Sequence, residues 1–300
     1  MSDDLFEEIL DLPDPGAQRR YHSLVGLDST KARLNAEAEL LLYPDRLEQW
    51  STRHHKKRLQ AVDTFLERPP LIIFGGDVGT GKTTLAETFG NELAAVHQRA
   101  AQVYRLSLRA RGSGHVGEMT QLLGTAFDAV AQRARTSGAS CPIIMVIDEA
   151  DAIAQNRANA QMHHEDRAGV NGLIRGIDQL ASERLHVLVV MCTNRLDAID
   201  PAITRRAAAT FAFTRPDTDQ RVAILKDLFV DAAPGANWST LAQATGPTAE
   251  RPYGFTASDF SQRLAPSVLL AAYPDQPITA DLIAATISGL EPTRPFGEDR

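Results

Sequence analysis

Cysteine is scarce. Cys141 and Cys192 are the two among 300 residues, too few for a disulfide-stapled fold and not spaced as a metal cluster, and they suit a reducing compartment. No apolar run approaches the roughly 18 residues that a membrane helix needs. Basic charge is not in excess: Lys plus Arg is 31 against 38 Asp plus Glu, a net charge of −7. That balance argues against a dedicated duplex-binding protein, although a local basic lining can still meet phosphates. Met1 to Gly16 is acidic and lacks the basic-then-apolar order of a signal peptide. Internal repeats and low-complexity tracts are missing too. What remains is 43% apolar and 23% charged residues, ample for a packed core and unlike a disordered chain. The length suits about two domains. These features predict a cytoplasmic protein with no membrane segment.

Residues 1–22 carry Pro13, Pro15 and Gly16 among acids, which predicts a flexible acidic tail. Leu34, Ala38 and Leu41 then recur on one face of a predicted helix over Ser29 to Leu42. The basic stretch Arg53 to Arg58 reads as a solvated helix face. From Leu71 the pattern changes to short, β-branched apolar runs: Leu71 to Phe74, Gln102 to Leu108, Pro142 to Ile147 and His186 to Cys192. Thr210 to Phe213 is a weaker fifth. Helical stretches separate them, most clearly Gly117 to Arg135, and this alternation predicts a parallel sheet covered on both faces. After Pro216 the strands stop and Asp217 opens a run of helices. The chain therefore divides into an α/β domain, 23–215, and a smaller helical domain with its tail, 216–300.

Gly76 to Thr83 fits G-x-x-x-x-G-K-[ST], with an apolar strand before it and a helix carrying Leu85, Phe89 and Leu93 after it. Such glycines let backbone N–H groups turn toward phosphates at a helix N-terminus. The candidate nucleotide contacts are Gly76, Val78, Gly79, Thr80, Gly81, Lys82, Thr83 and Thr84. Lys82 is placed to reach the β- and γ-phosphates, and the Thr83 hydroxyl to ligate Mg²⁺. The strand Ile143 to Ile147 ends in Asp148-Glu149. Asp148 suits a Mg²⁺ held through water, and Glu149 suits a general base for the attacking water. A second strand ends in Thr193-Asn194-Arg195, where the Asn194 amide is placed to orient that water. Asp151 receives no separate role.

In this combination and order the residues resemble the AAA+ ATPases, specifically the AAA subfamily, from about Leu24 to Thr293. Val25-Gly26 is similar to the segment that packs near adenine in that family. Gly76 to Thr83 looks like Walker A, Asp148-Glu149 like Walker B and Asn194 like sensor 1. Asp200 to Arg206 resembles the second region of homology, which makes Arg205 and Arg206 candidate fingers reaching a neighbour's γ-phosphate. The resemblance implies a five-stranded parallel sheet in the order 5-1-4-3-2, a four-helix lid, ATP and Mg²⁺ as cofactors, and a homo-hexameric ring. Three departures stand out. Ala208 occupies the usual place of a second finger, with Arg206 as its substitute. Gly254 stands where relatives carry a lid arginine, so none is assigned. Pro266 interrupts a predicted lid helix.

Gly112 to Glu118 falls where the family places its first pore loop, with His115 in the aromatic place and Val116 in the aliphatic one. Arg157 to His164 takes the place of the second pore loop, and its histidines show no metal-site spacing. The compact module resembles the ATPases that remodel HORMA-domain proteins, and the stretch Arg111 to Thr120 looks most like their bacterial relatives in CBASS anti-phage operons. That implies a HORMA-domain protein as the partner gripped in the pore. Two other readings stay open: a rubisco-activase-like remodeller, and an ATP-dependent protein on DNA that uses the basic stretch near Arg53.

Overall fold

The computed structural model describes residues 5–106, 118–154, 164–249 and 251–296. The chain opens with β1 (Glu8–Leu12), α1 (Pro15–His22), α2 (Asp28–Leu42), α3 (Pro44–His55) and α4 (Gln60–Leu66). An alternating stretch follows: β2 (Leu71–Gly76), α5 (Lys82–His97), β3 (Ala101–Leu106), α6 (Glu118–Ser137), β4 (Ile143–Ile147), α7 (His164–Ser182) and β5 (Val187–Thr193). Then come α8 (Pro201–Thr204), β6 (Ala209–Phe213), α9 (Thr218–Phe229) and α10 (Trp238–Ala244). A π-helical stretch, Asp259–Leu264, leads into α11 (Ala265–Ala272), and α12 (Ala280–Gly289) is the last helix described.

The strands form one six-stranded sheet in the order β1-β3-β4-β5-β2-β6. Setting β1 aside leaves the order expected from the family. The register pairs Ile147 with Met191 and Gly75 with Thr193, all in parallel, so three strand ends lie side by side. The candidate residues gather at that end, where open α/β sheets usually bind their ligands.

The sheet has one strand more than expected, and the segment read as a loose tail supplies it. β1 pairs antiparallel with β3, from Glu8 opposite Arg105 to Leu12 opposite Ala101. Beside it, Arg105 of β3 meets Glu7, just before the strand, at 3.5 Å and Glu87 of α5 at 2.9 Å, while Glu8 and Asp11 stay exposed. Phe6 and Leu12 are buried, Phe6 edge-on to Tyr104 at 4.9 Å. The Asp14 N–H donates to Asn91 Oδ1 at 2.6 Å, and Asp14 Oδ2 accepts from Ala17 N–H in the first turn of α1. An edge strand with free backbone groups and a cation at its side captures a short apolar segment despite its acidic composition.

Two compact units emerge from the contacts. The first comprises Met1–Tyr21, Ser29–Gly75 and Thr83–Ala212, and the second His22–Asp28, Gly76–Lys82 and Phe213–Arg300. In the first, α6 and α7 bury Phe127, Val130, Leu173 and Ile177 against Met145, Ile147, Val189 and Met191 of the sheet. In the second, Leu225, Phe229, Trp238, Phe255, Phe260 and Ile283 form the core of the helical domain. Asp217 caps α9 in a reciprocal capping box with Gln220. Pro266 lies in the first turn of α11, just past the π-helical stretch. Without an N–H to donate, and with its ring crowding the carbonyl four residues back, it forbids a regular α-turn there.

A buried carboxylate holds the helical domain together. Asp259, 1% exposed, accepts from the Thr256 N–H at 2.8 Å, from the Thr293 hydroxyl at 2.7 Å and from Arg263 at 3.1 Å. Burial alone pushes its carboxyl upward, but the hydrogen bonds from Thr256 and Thr293 outweigh it and hold the group below the usual carboxylate range. The stabilisation it gives is therefore complete above the ordinary aspartate range and is lost as pH falls through the depressed folded value. Asp259→Ala strands those donors and costs about 3 kcal/mol in urea unfolding. An unfolding midpoint equal to that of the unaltered chain would contradict this.

Candidate functional site

The phosphate loop belongs to the second unit. Its turn is made by positive φ at Gly79 (+70°) and Gly81 (+94°). Gly79 is also closely approached: a Cβ there would lie 2.8 Å from Thr256 Oγ1, and its carbonyl accepts from the Ser258 N–H at 2.9 Å. The turn Thr256 to Asp259 thus braces the loop from the lid side. Lys82, 6% exposed, donates to the carbonyls of Gly76 at 2.9 Å and Asp77 at 2.6 Å. It stands as the first residue of α5, whose N-terminus favours anions. Thr80 Oγ1 donates to the Asp77 carbonyl at 2.7 Å.

Val25 packs against the helical core, and Gly26 has φ +79°. The Gly26 carbonyl accepts from Gln220 Nε2 at 2.6 Å, so the capping glutamine of α9 also pins this segment. Sequence reasoning missed Gln220, whose one local signal was the capping-box spacing from Asp217.

In the first unit, Thr83 Oγ1 lies 3.2 Å and 3.1 Å from the two oxygens of Asp148. A hydroxyl and a carboxylate this close fit Mg²⁺, a hard cation that takes one or two protein oxygens and completes its shell with water and phosphate. The small donor set agrees with that habit: among the described residues no three His, Cys, Asp or Glu gather as a metal cluster. When bound, Mg²⁺ supplies charge neutralisation at the phosphates. Glu149 follows with φ +53° and ψ +39°, left-handed for a residue with a Cβ, and its N–H donates to Asp148 Oδ1 at 2.9 Å. Such backbone strain, about 1–3 kcal/mol, concentrates at functional sites. It turns the chain sharply at the strand end, directly after Asp148.

Asp151, given no role from sequence, links two strand ends. Its Oδ1 accepts from Thr193 Oγ1 at 3.0 Å and from the Asn194 N–H at 3.3 Å. It thereby fixes the backbone that presents Asn194, whose side-chain amide makes no hydrogen bond among the described residues. We expect Asp151→Ala to lower ATP turnover about tenfold with ATP affinity nearly unchanged, the mark of a positioning residue. An equal loss in affinity would show that it merely supports the fold.

The two candidate fingers differ. Arg206 is forked onto Asp178 of α7 at 2.9 and 3.1 Å and donates to the Ala202 carbonyl at 3.0 Å. The hydrogen bond to Asp178 raises its pKa further. Arg205 is exposed, and among the described residues its side chain makes a single hydrogen bond, Nε to the Pro201 carbonyl at 3.2 Å. His115 and Val116 lie outside the described residues, as does most of Arg157 to His164.

No described helix is long and apolar enough to cross a membrane. Residues 72–215 match the model of the ATPase family associated with various cellular activities (AAA). Over 302 aligned residues the chain is 46% identical to CD-NTase-associated protein 6 of Escherichia coli (strain MS 115-1), covering 98% of this chain and 96% of that protein. A second protein of that name, from strain KTE188, is 36% identical with 98% of each covered. Among solved structures, a chain of the E. coli MS115-1 HORMA:CdnC:Trip13 complex superposes with a TM-score of 0.90 at 45% identity, covering 99% of both chains. Rhizobiales Trip13 superposes at 0.76 with 38% identity, covering 97% of this chain and 100% of that one. With the phosphate loop, the acid pair and the sheet order all in place, the chain belongs to the AAA ATPase family, among the relatives of CD-NTase-associated protein 6 and bacterial Trip13.

Proposed function

We propose that this chain is an ATP-driven remodeller of a HORMA-domain protein, working in the cytoplasm as a homo-hexameric ring within CBASS anti-phage defence. The observation that carries the reading is the end-to-end likeness, at TM-score 0.90, to a chain from a complex that contains HORMA, CdnC and Trip13. The family supports the ATPase step, and the residues supply its roles. The loop from Gly76 to Thr84 cradles the phosphates, with Lys82 as their cationic contact. Thr83 and Asp148 hold Mg²⁺. Glu149 takes the proton of the attacking water, Asn194 orients that water, and Val25-Gly26 flanks the base. Arg205 reaches the neighbouring subunit as the finger, and Arg206, bound to Asp178, secures the helix that carries it. His115 and Val116 grip the polypeptide in the pore. Pulling opens the closed HORMA state and separates it from its nucleotidyltransferase, which restrains signalling.

A DNA-linked role gains little from the basic stretch near Arg53. Arg58 is already paired with Glu48 at 2.8 Å and Asp63 at 2.6 Å. The rubisco-activase-like alternative has no counterpart among the relatives described above.

The test is to mix the chain with a HORMA-domain protein complexed to its nucleotidyltransferase from the same cell. Size-exclusion chromatography then follows the complex in Mg-ATP or Mg-ADP. Dissociation in ATP alone is the expected result. A complex that persists equally in both, while ATP is consumed, would sink the remodelling step.

A further inference from the structure

We infer that Asp77 and Arg215 form a clasp between the lid and the phosphate loop that sets how tightly the loop holds nucleotide. The inference rests on reading that loop as the ATP site. Asp77 stands second in the loop, between Gly76 and Val78. Its own carbonyl already accepts from Lys82 at 2.6 Å, and from Thr80 at 2.7 Å. Its carboxylate takes partners of its own. Oδ1 accepts from the Val78 N–H at 2.8 Å and from the Phe296 N–H at 3.3 Å. Oδ2 meets Arg215 Nε at 2.7 Å.

Arg215 stands just after β6 and just before the lid. Its Nη1 donates to the Gly254 carbonyl at 2.6 Å, and its guanidinium lies 4.9 Å from the Tyr253 ring centre. The two side chains are only 13% and 19% exposed. Among the described residues Asp77 is the one acid that Arg215 meets.

A carboxylate in a loop built to hold phosphates works against its own ligand. Like charges at short range repel more strongly away from bulk water, so an uncompensated Asp77 weakens the binding of a polyphosphate. Arg215 removes that penalty, and through Gly254 it ties the neutralised loop to the lid turn. This is also the turn where the family's lid arginine is replaced by glycine. The cation comes instead from the junction between sheet and lid, and it acts through Asp77. Arg215 is thus a positioning residue, and its effect depends on the charge of its partner.

That dependence separates a clasp from a simple structural contact. Titration of the full chain with a fluorescent ATP analogue, alongside thermal melting to confirm folding, reads it directly. Arg215→Gln leaves Asp77 bare, and we expect it to weaken binding about tenfold. Asp77→Asn keeps the Oδ1 acceptor, loses only the ion pair and leaves no bare carboxylate, so it binds within about threefold of the unaltered chain. Adding Asp77→Asn to Arg215→Gln restores affinity to within about threefold of the unaltered chain, because the bare carboxylate is gone. Arg215→Lys keeps the charge and also binds within about threefold. Arg215→Gln binding as tightly as the unaltered chain would overturn the clasp. So would a double variant no tighter than Arg215→Gln, or an Arg215→Lys as weak as Arg215→Gln. Failure of the unaltered chain to bind would overturn the assignment of the loop itself, and the clasp with it.

Discussion

Glu149→Gln lowers ATP turnover by a factor of about 10² to 10⁴ while leaving ATP affinity within about twofold. The size follows from the role. A carboxylate that receives the proton of the attacking water contributes that much, and an amide of the same shape cannot receive it. The selectivity follows from the geometry. The Glu149 backbone holds this turn: its N–H donates to Asp148 Oδ1, and its carbonyl accepts from the Ala152 N–H at 2.9 Å. Glutamine keeps both, and it keeps the left-handed turn no worse than glutamate does. Thr83 and Asp148 stay 3.1–3.2 Å apart, ready for Mg²⁺. Single-turnover phosphate release beside a nucleotide titration separates the two quantities. Turnover at the unaltered rate would remove Glu149 from its role as base.

Arg205→Ala lowers turnover by a factor of at least about 10³, and Arg206→Ala does not. A finger meets the charge that develops on the γ-phosphoryl group, so it must be able to leave its own chain. Arg206 is committed to Asp178 and Ala202 by three hydrogen bonds. Arg205 is exposed, and among the described residues its side chain holds a single hydrogen bond, to a backbone carbonyl. Losing the Arg206–Asp178 pair, partly open to solvent, costs less than about 1 kcal/mol of stability. Mixed rings add a second reading. Subunits carrying Arg205→Ala still present a nucleotide site, and subunits carrying Lys82→Ala still present a finger. Combined, they regain turnover that neither has alone. No recovery in rings shown to be mixed would count against action across subunits, and equal losses from Arg205→Ala and Arg206→Ala would contradict the division of labour.

What was legible from the sequence was whatever leaves a local signature. The buried parallel strands announce themselves as β-branched runs because both faces are covered, and β2, β3, β4 and β5 fall within two residues of their expected bounds. The phosphate loop is legible because its backbone demands glycine at fixed offsets. The acid pair is legible because it ends an apolar strand. The residues that were missed act through partners far along the chain. β1 is hidden by the acids in and around it, since nothing near Glu7 shows that Arg105 will meet it from the neighbouring strand. Asp151 becomes intelligible only when β4 and β5 are set side by side, and Gln220 only when the Gly26 carbonyl is brought to it. Arg215 carried no motif at all, for its meaning lies in Asp77.

ATP is proposed to let this chain hold and remodel a HORMA-domain protein. The most direct measurement is affinity capture from cell extract with the Glu149→Gln chain held in ATP, with ADP as the control. Mass spectrometry and nucleic-acid absorbance then identify what is retained. A HORMA-domain protein retained in ATP and lost in ADP is the expected result. Nucleic acid alone, released by raised salt as a phosphate-contacting surface requires, would contradict it and return the basic stretch near Arg53 to the centre of the problem.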